Sequence, residues 1–176
     1  MSTYQIDTAH THAQFKVRHL MISNVKGDFD KVTGTIEYDD ANPSAAKIDV
    51  SIDVASISTR EPQRDAHLKS ADFFDAEKFP TIHFVSKEVV KSGDDSFEVV
   101  GDLTIHGVTQ TVDLNVEDFT PEVKDPFGLY RRGASAKTTV ERKDFGLVYN
   151  MLLEAGGVAI SDDVHITIDV EFTRPA

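Results

Sequence analysis

The chain has 176 residues, which fits one domain spanning 1–176. Eighteen Lys and Arg against 30 Asp and Glu give a net charge of −12, which argues against a general affinity for nucleic acid or for anionic lipid. The absence of cysteine excludes disulfides, thiolate nucleophiles and cysteine metal sites.

Taken in chain order, the first segment, Met1-Ser2-Thr3-Tyr4, lacks the basic start and apolar run of a secretory signal. No later run approaches the roughly 18 apolar residues of a membrane helix. The expectation is a cytoplasmic chain with no stable membrane insertion. Phe15, Val17 and Met21 then share one parity, with Lys16 and Arg18 on the other, which predicts a strand with one dry face. Residues from Val25 to Tyr38 hold one or two more strands, around Phe29 and Ile36. After a loop at Asp39–Pro43, Ile48, Val50, Ile52 and Val54 alternate with Asp49, Ser51 and Asp53. Glu61 to Ser70 interrupts the pattern as a short helix, near residues 62–70, with Pro62 suited to its first position and Lys69 to its end. The apolar pair Phe73-Phe74 follows and must dock on something.

Strands resume at Ile82 and Phe84, and again at Phe97, Val99, Leu103 and Ile105, with Gly101 as a bend or bulge. Ser92–Asp95 and His106-Gly107 are the turns on either side. Val112, Leu114 and Val116 mark the next strand, and Asp125–Gly128 the next turn. Gly133 to Val140 is a strand with small inner residues, Ala134 and Ala136. From Asp163 the chain alternates Val164, Ile166, Ile168, Val170 and Phe172 against polar neighbours. Each strand offers one dry face. An open sheet would leave that face and two raw edges in water, whereas closure removes both problems. The fold class predicted is all-β, an antiparallel barrel of about eight strands with one short helix. Periodicity alone leaves open whether the interior is hollow or filled by side chains.

Four ordered stretches carry a family resemblance. They are Tyr4 to Phe29, with Ile-Asp, His, Val-x-His-Leu and Gly-x-Phe; Leu68 to Phe84; Gly101 to Leu114; and Arg142 to Leu147 combined with Asp163 to Val170. Together they make the chain resemble the YceI-like family, also called polyisoprenoid-binding or lipocalin-like proteins. Thr11 and Ala13 stand where Ser and Val are common in that family. Many of its members carry a secretion signal. The resemblance implies an extended lipocalin-like β-barrel that binds or carries a long isoprenoid chain, such as a polyprenyl or quinone tail or another amphiphilic lipid, without catalysis. By analogy it also makes a homodimer unsurprising.

A lipid-binding barrel needs an apolar wall and a mouth, not a reactive group. Each buried CH₂ contributes about 0.8 kcal/mol before ordering costs, which predicts tolerance for chain identity. The wall candidates are Phe15, Val17, Met21, Ile52, Val54, Phe84, Leu103, Ile105, Leu114, Val116, Ile166 and Ile168, with Ala136 leaving room among them. Phe73 and Phe74 close one end, and Phe145, Leu147, Tyr149, Met151 and Leu153 form an apolar cluster near a loop. His19 is the polar residue on the inner parity of the first long strand and Arg60 stands beside the helix start; both are candidates to meet a head group.

Two other readings remain. A filled barrel with a structural, interaction or stress-related role shares every feature above. A metal site would rest on His10 and His12, two apart on one strand, with His165 or His67 added. No His-Glu-x-x-His, Gly-x-Ser-x-Gly or phosphate-binding glycine loop is present, so neither an enzyme nor a cofactor is expected.

Overall fold

The alternating segments fold as strands of one continuous sheet. The computed structural model describes residues 1–151 and 159–176, so Leu153 of the expected apolar cluster lies outside the described residues. The strands are β1 (Ser2–Ile6), β2 (His12–His19), β3 (Ser23–Phe29), β4 (Val32–Tyr38), β5 (Lys47–Asp53), β6 (Ile57–Ser58), β7 (Thr81–Lys91), β8 (Phe97–Ile105), β9 (Val108–Glu117), β10 (Val123–Lys124), β11 (Leu129–Glu141) and β12 (Asp163–Pro175). The helix α1 spans Pro62–Lys69. Its start is fixed by the Glu61 carboxylate, which accepts the Gln63 and Arg64 N–H groups at 3.2 and 2.6 Å. Among the described residues no helix is long and apolar enough to cross a membrane.

Strands β1, β4, β5, β7, β8, β9, β11 and β12 close into an eight-stranded antiparallel barrel, because β11 pairs with both β9 and β12. Dry and wet faces follow the alternation: Phe97, Val99, Gly101, Leu103 and Ile105 of β8 are all buried, and the residues between them are not. The irregularity expected at Gly101 falls on the facing strand instead, between Ser86 and Glu88 of β7. Gly101 keeps the register. What it supplies is space, since a Cβ there would come within 2.4 Å of Phe84 Cζ and 2.5 Å of the Val85 carbonyl oxygen.

One side of the barrel is built on two levels. β1 and β2 succeed each other along the same edge of β12, at Thr173 and Phe172 for β1 and at Asp169 to His165 for β2. β4 and β3 lie outside them in the same two-level arrangement, and so do β5 and β6. The break in the first pair is bridged by a side chain. Buried Thr11 donates its Oγ1 hydrogen to the Glu171 carbonyl (3.3 Å) and accepts the Glu171 N–H (3.2 Å), while the Asp7 N–H also donates to the Glu171 carbonyl (2.8 Å). Thr8 Oγ1 donates to Val32 O (2.8 Å), Asp53 N–H to Lys31 O (3.0 Å) and Lys31 N–H to Ser56 Oγ (3.2 Å), tying the breaks into one line across the sheet.

Candidate ligand cavity

The barrel is hollow. Its cavity measures about 480 Å³, within the range of sites that hold small molecules. The interior is not filled by its own side chains.

The floor is aromatic and sealed. Phe172 packs edge-on to Tyr4 (5.3 Å between centroids), Phe119 lies against Tyr38 (4.8 Å) and Phe97 (5.2 Å), and Tyr38, Phe97, Phe119 and Phe172 all face the cavity. Beneath them a buried Arg132 donates to Asp40 (2.5 Å), Thr120 O (3.2 Å) and Tyr4 Oη (3.2 Å), with its guanidinium over the Tyr38 and Phe119 rings. Tyr4 in turn donates to Glu122, which Arg174 grips in a fork at 2.7 and 2.9 Å. Arg174 holds the Glu122 carboxyl below its ordinary range, against the opposing pull of burial. Burial raises the Tyr38 phenol, so that it stays neutral.

The wall is carbon. Of the residues expected from parity, Phe15, Val17, Ile52, Phe84, Leu103, Ile105, Leu114, Val116, Ala136, Ile166 and Ile168 all line the cavity, as does His19. Phe73 and Phe74 also line the cavity: Phe74 stacks edge-on to Phe29 (5.9 Å), and Phe73 lies 5.0 Å from Tyr149. Leu147 and Phe145 are buried beside them.

Two expected wall residues are not there. Met21 does not line the cavity and is 57% exposed. The strand stops at His19, and Leu20 and Met21 turn the chain with φ of 50° and 61°; that left-handed setting costs a non-glycine residue roughly 1–2 kcal/mol and cancels the parity argument. Val54 is buried behind the wall instead of on it, because the Asp53 carboxylate accepts the Ala55 N–H (3.0 Å) and turns the chain into a short 3₁₀ segment. Arg60 likewise lies off the cavity.

The other end reaches solvent, since the lining residues Arg18, His19, Arg64 and Met151 are also exposed. Arg64 is held by Thr59, at 2.7 Å to Oγ1 and 2.7 Å to the carbonyl. His67 pairs with Asp72 (2.8 Å) and packs edge-on to Phe73 and Tyr149. Parity could not have found these two, because they sit on α1, three residues apart on one helical face.

Arg142, in the Arg142–Leu147 stretch, is not marked by strand periodicity either. Buried beside the cavity, its guanidinium donates to the carbonyls of Leu147 (2.6 Å), Tyr149 (2.8 Å) and Ser161 (2.9 Å), with Ile160 at 3.4 Å. It therefore straps the segments on either side of residues 152–158 to the barrel end. Burial lowers its pKa and Asp162, 3.6 Å away, opposes that; a guanidinium remains charged in either case. No carboxylate occurs among the described residues lining the cavity, whereas Arg18, His19, Arg64, His67 and Arg142 do.

The histidine pair expected to share a strand face does not. His10 ends a 3₁₀ turn before β2 begins at His12, and its Nδ1 lies 2.9 Å from Asp7. Asp7, His10 and Glu171 do cluster, but Arg131 Nη1 already occupies the centre, at 2.6 Å from Asp7 and 3.2 Å from Glu171.

A closed antiparallel barrel around an apolar cavity, covered at one end by a short helix, defines a lipocalin-like barrel protein. The chain belongs to the YceI-like family, whose domain it matches over residues 4–172. A UPF0312 protein of Vibrio cholerae is 44% identical over 146 residues, 82% of this chain and 77% of that protein. One from Staphylococcus aureus is 38% identical over 174 residues, 98% of each. Among solved structures, the Campylobacter jejuni YCEI protein superposes with a TM-score of 0.76 at 34% identity, covering 92% of this chain and 91% of that one. Burkholderia cenocepacia BcnA shares the fold at 0.82 and 21% identity, covering 94% and 98%. A polyisoprenoid binding domain from Saccharophagus degradans shares it at 0.71 and 16%, covering 98% of both.

Proposed function

We propose that this protein holds a long-chain isoprenoid lipid, of polyprenyl or quinone type, in its barrel and carries it without performing chemistry on it. The observation that carries this reading is the continuous apolar wall around about 480 Å³, sealed by aromatics at one end and reaching solvent at the other. The tail binds through buried hydrocarbon surface, which is non-directional, so chain identity is weakly selected. Cations and histidines at the mouth, with no lining carboxylate among the described residues, suit a head group that is anionic or rich in carbonyl oxygens. The shared fold of a domain described as polyisoprenoid-binding supports the same reading.

Native mass spectrometry and organic extraction of freshly purified protein test it. A co-purifying long-chain isoprenoid, or stoichiometric uptake of one added to the apo protein, is expected. A clean apo mass that stays unchanged after incubation with isoprenoid lipids would overturn the reading.

A further inference from the structure

The turn joining β2 to β3 has the wrong chemistry for its conformation. The Ile22 N–H donates to the His19 carbonyl (3.1 Å) across Leu20 and Met21, both at positive φ. Positive φ at two successive turn residues is the setting in which Asn-Gly or another Gly-containing pair is favoured, and the ladder resumes at His19–Ser23 with Ile22 left unpaired. The β8–β9 hairpin, with the same signs of φ, has Gly107 at its second position. Here the tip is Leu20-Met21-Ile22, and the exposure of the three side chains rises from 37% to 57% to 74%. The tip therefore combines backbone strain with apolar surface in water.

Its position gives the tip a use. The Leu20 N–H donates to Ala159 O (2.8 Å), and the Ala159 N–H donates to Met151 O (2.9 Å); Met151 lines the cavity and is itself 58% exposed. The apolar tip thus stands at the rim of the mouth. Behind it on the same hairpin lie three cations with no ion pair among the described residues. Lys16 faces Lys26 directly across the ladder, and Arg18 donates to the Met21 carbonyl (3.4 Å). Like charges in direct register repel unless an anion is near. The carboxylate of Asp162 at the same end is already taken by Lys143 (3.2 Å) and Arg142.

We infer that the β2–β3 tip is a docking surface for an anionic lipid bilayer, which seats the cavity mouth on the membrane. The inference rests on the lipid-carrier reading above. Apolar side chains on a narrow hairpin suit shallow burial at the head-group boundary, and the cations behind them suit anionic head groups. The chain's net charge of −12 opposes general attraction to such a surface, so only the mouth end approaches it. A single tip is also far smaller than the roughly 800 Å² per partner of a stable protein interface.

The test is co-sedimentation with vesicles of phosphatidylglycerol and phosphatidylcholine in equal parts, and with phosphatidylcholine alone. The wild-type protein should bind the first far better than the second, and progressively less as salt rises. The double variant Leu20→Asn/Met21→Gly should lose vesicle binding about tenfold or more while its thermal midpoint rises, because strain is relieved. Lys16→Glu/Lys26→Glu should lose binding to the anionic vesicles as well. Uptake of farnesol added without vesicles reads the cavity independently, and the tip variant should retain it. If the wild type takes up farnesol but ignores anionic vesicles, or the tip variant still binds them, docking fails and the carrier reading stands. If a dimer seen by sedimentation velocity dissociates in the tip variant and vesicles are not bound, a second copy covers the tip and the inference is overturned.

Discussion

The ring of Phe15 lies over Gly27, its cross-strand partner, so closely that a Cβ on the glycine would stand 2.2 Å from Cζ. Phe84 uses Gly101 in the same way at 2.4 Å. Both rings face the cavity, and both recline against the wall where a side chain would otherwise be. The glycines thus contribute volume to the lumen.

Gly27→Val removes that recess. The obstructing atoms are the far end of a side chain, so the ring swings into the lumen and the sheet persists. Isoprenoid uptake should fall while the strand signature in circular dichroism remains. Unchanged uptake would show that the recess does not set the cavity's capacity.

Ala136 faces the same lumen between Ile168 and Val116. Ala136→Phe should block uptake with little loss of stability, because a hollow site accepts the ring. A loss of about 1–3 kcal/mol in denaturant titration, typical of overpacking, would place this position in a filled region.

Thr11 replaces a missing rung of the β12 ladder through its hydroxyl. Thr11→Val keeps the shape but leaves the Glu171 N–H without that acceptor. The expected loss is about 1–3 kcal/mol, read as a lower urea midpoint with an unchanged slope.

Arg142→Met strips the carbonyls of Leu147, Tyr149 and Ser161 of their buried donor. Stability should drop by about 1–3 kcal/mol, and hydrogen exchange should rise at residues 147–151 and 159–161 with little change in the floor strands. Uniform loss of protection throughout the barrel would contradict a local strap.

Arg174 lowers the Glu122 pKa, opposed by burial and helped by the Tyr4 hydroxyl. A depressed carboxylate contributes stability above its unfolded value of about 4.3, and that contribution is lost as pH falls through the native value. Glu122→Gln should therefore lower stability at pH 7 and narrow the gap between pH 7 and pH 3. An undiminished gap would remove Glu122 from the acid response.

Much of the barrel was legible because burial on one face forces period two, as in Lys47–Asp53 and Asp163–Pro175. The same rule located most of the cavity wall, since inner parity in a hollow barrel is the lining. It failed wherever a polar side chain takes over the backbone: Asp53 capping the turn at Val54, and Thr11 standing in for a rung. It failed at Met21, where nothing in Leu-Met announces a left-handed turn. Arg142, Arg64 and His67 were invisible to periodicity because they lie on a helix and a 3₁₀ turn, and their partners are distant carbonyls or neighbours on a helical face.

The β11–β12 ladder runs without interruption from Leu129–Pro175 to Glu141–Asp163, whereas on the other edge of β12 the strand pairs β1/β2, β4/β3 and β5/β6 step across a break held by side-chain hydroxyls and single backbone bonds. The tube therefore has a stiff spine and a jointed front. A flex at that joint would leave every rung of the spine intact and would be resisted mainly by those few hydroxyl and single backbone contacts.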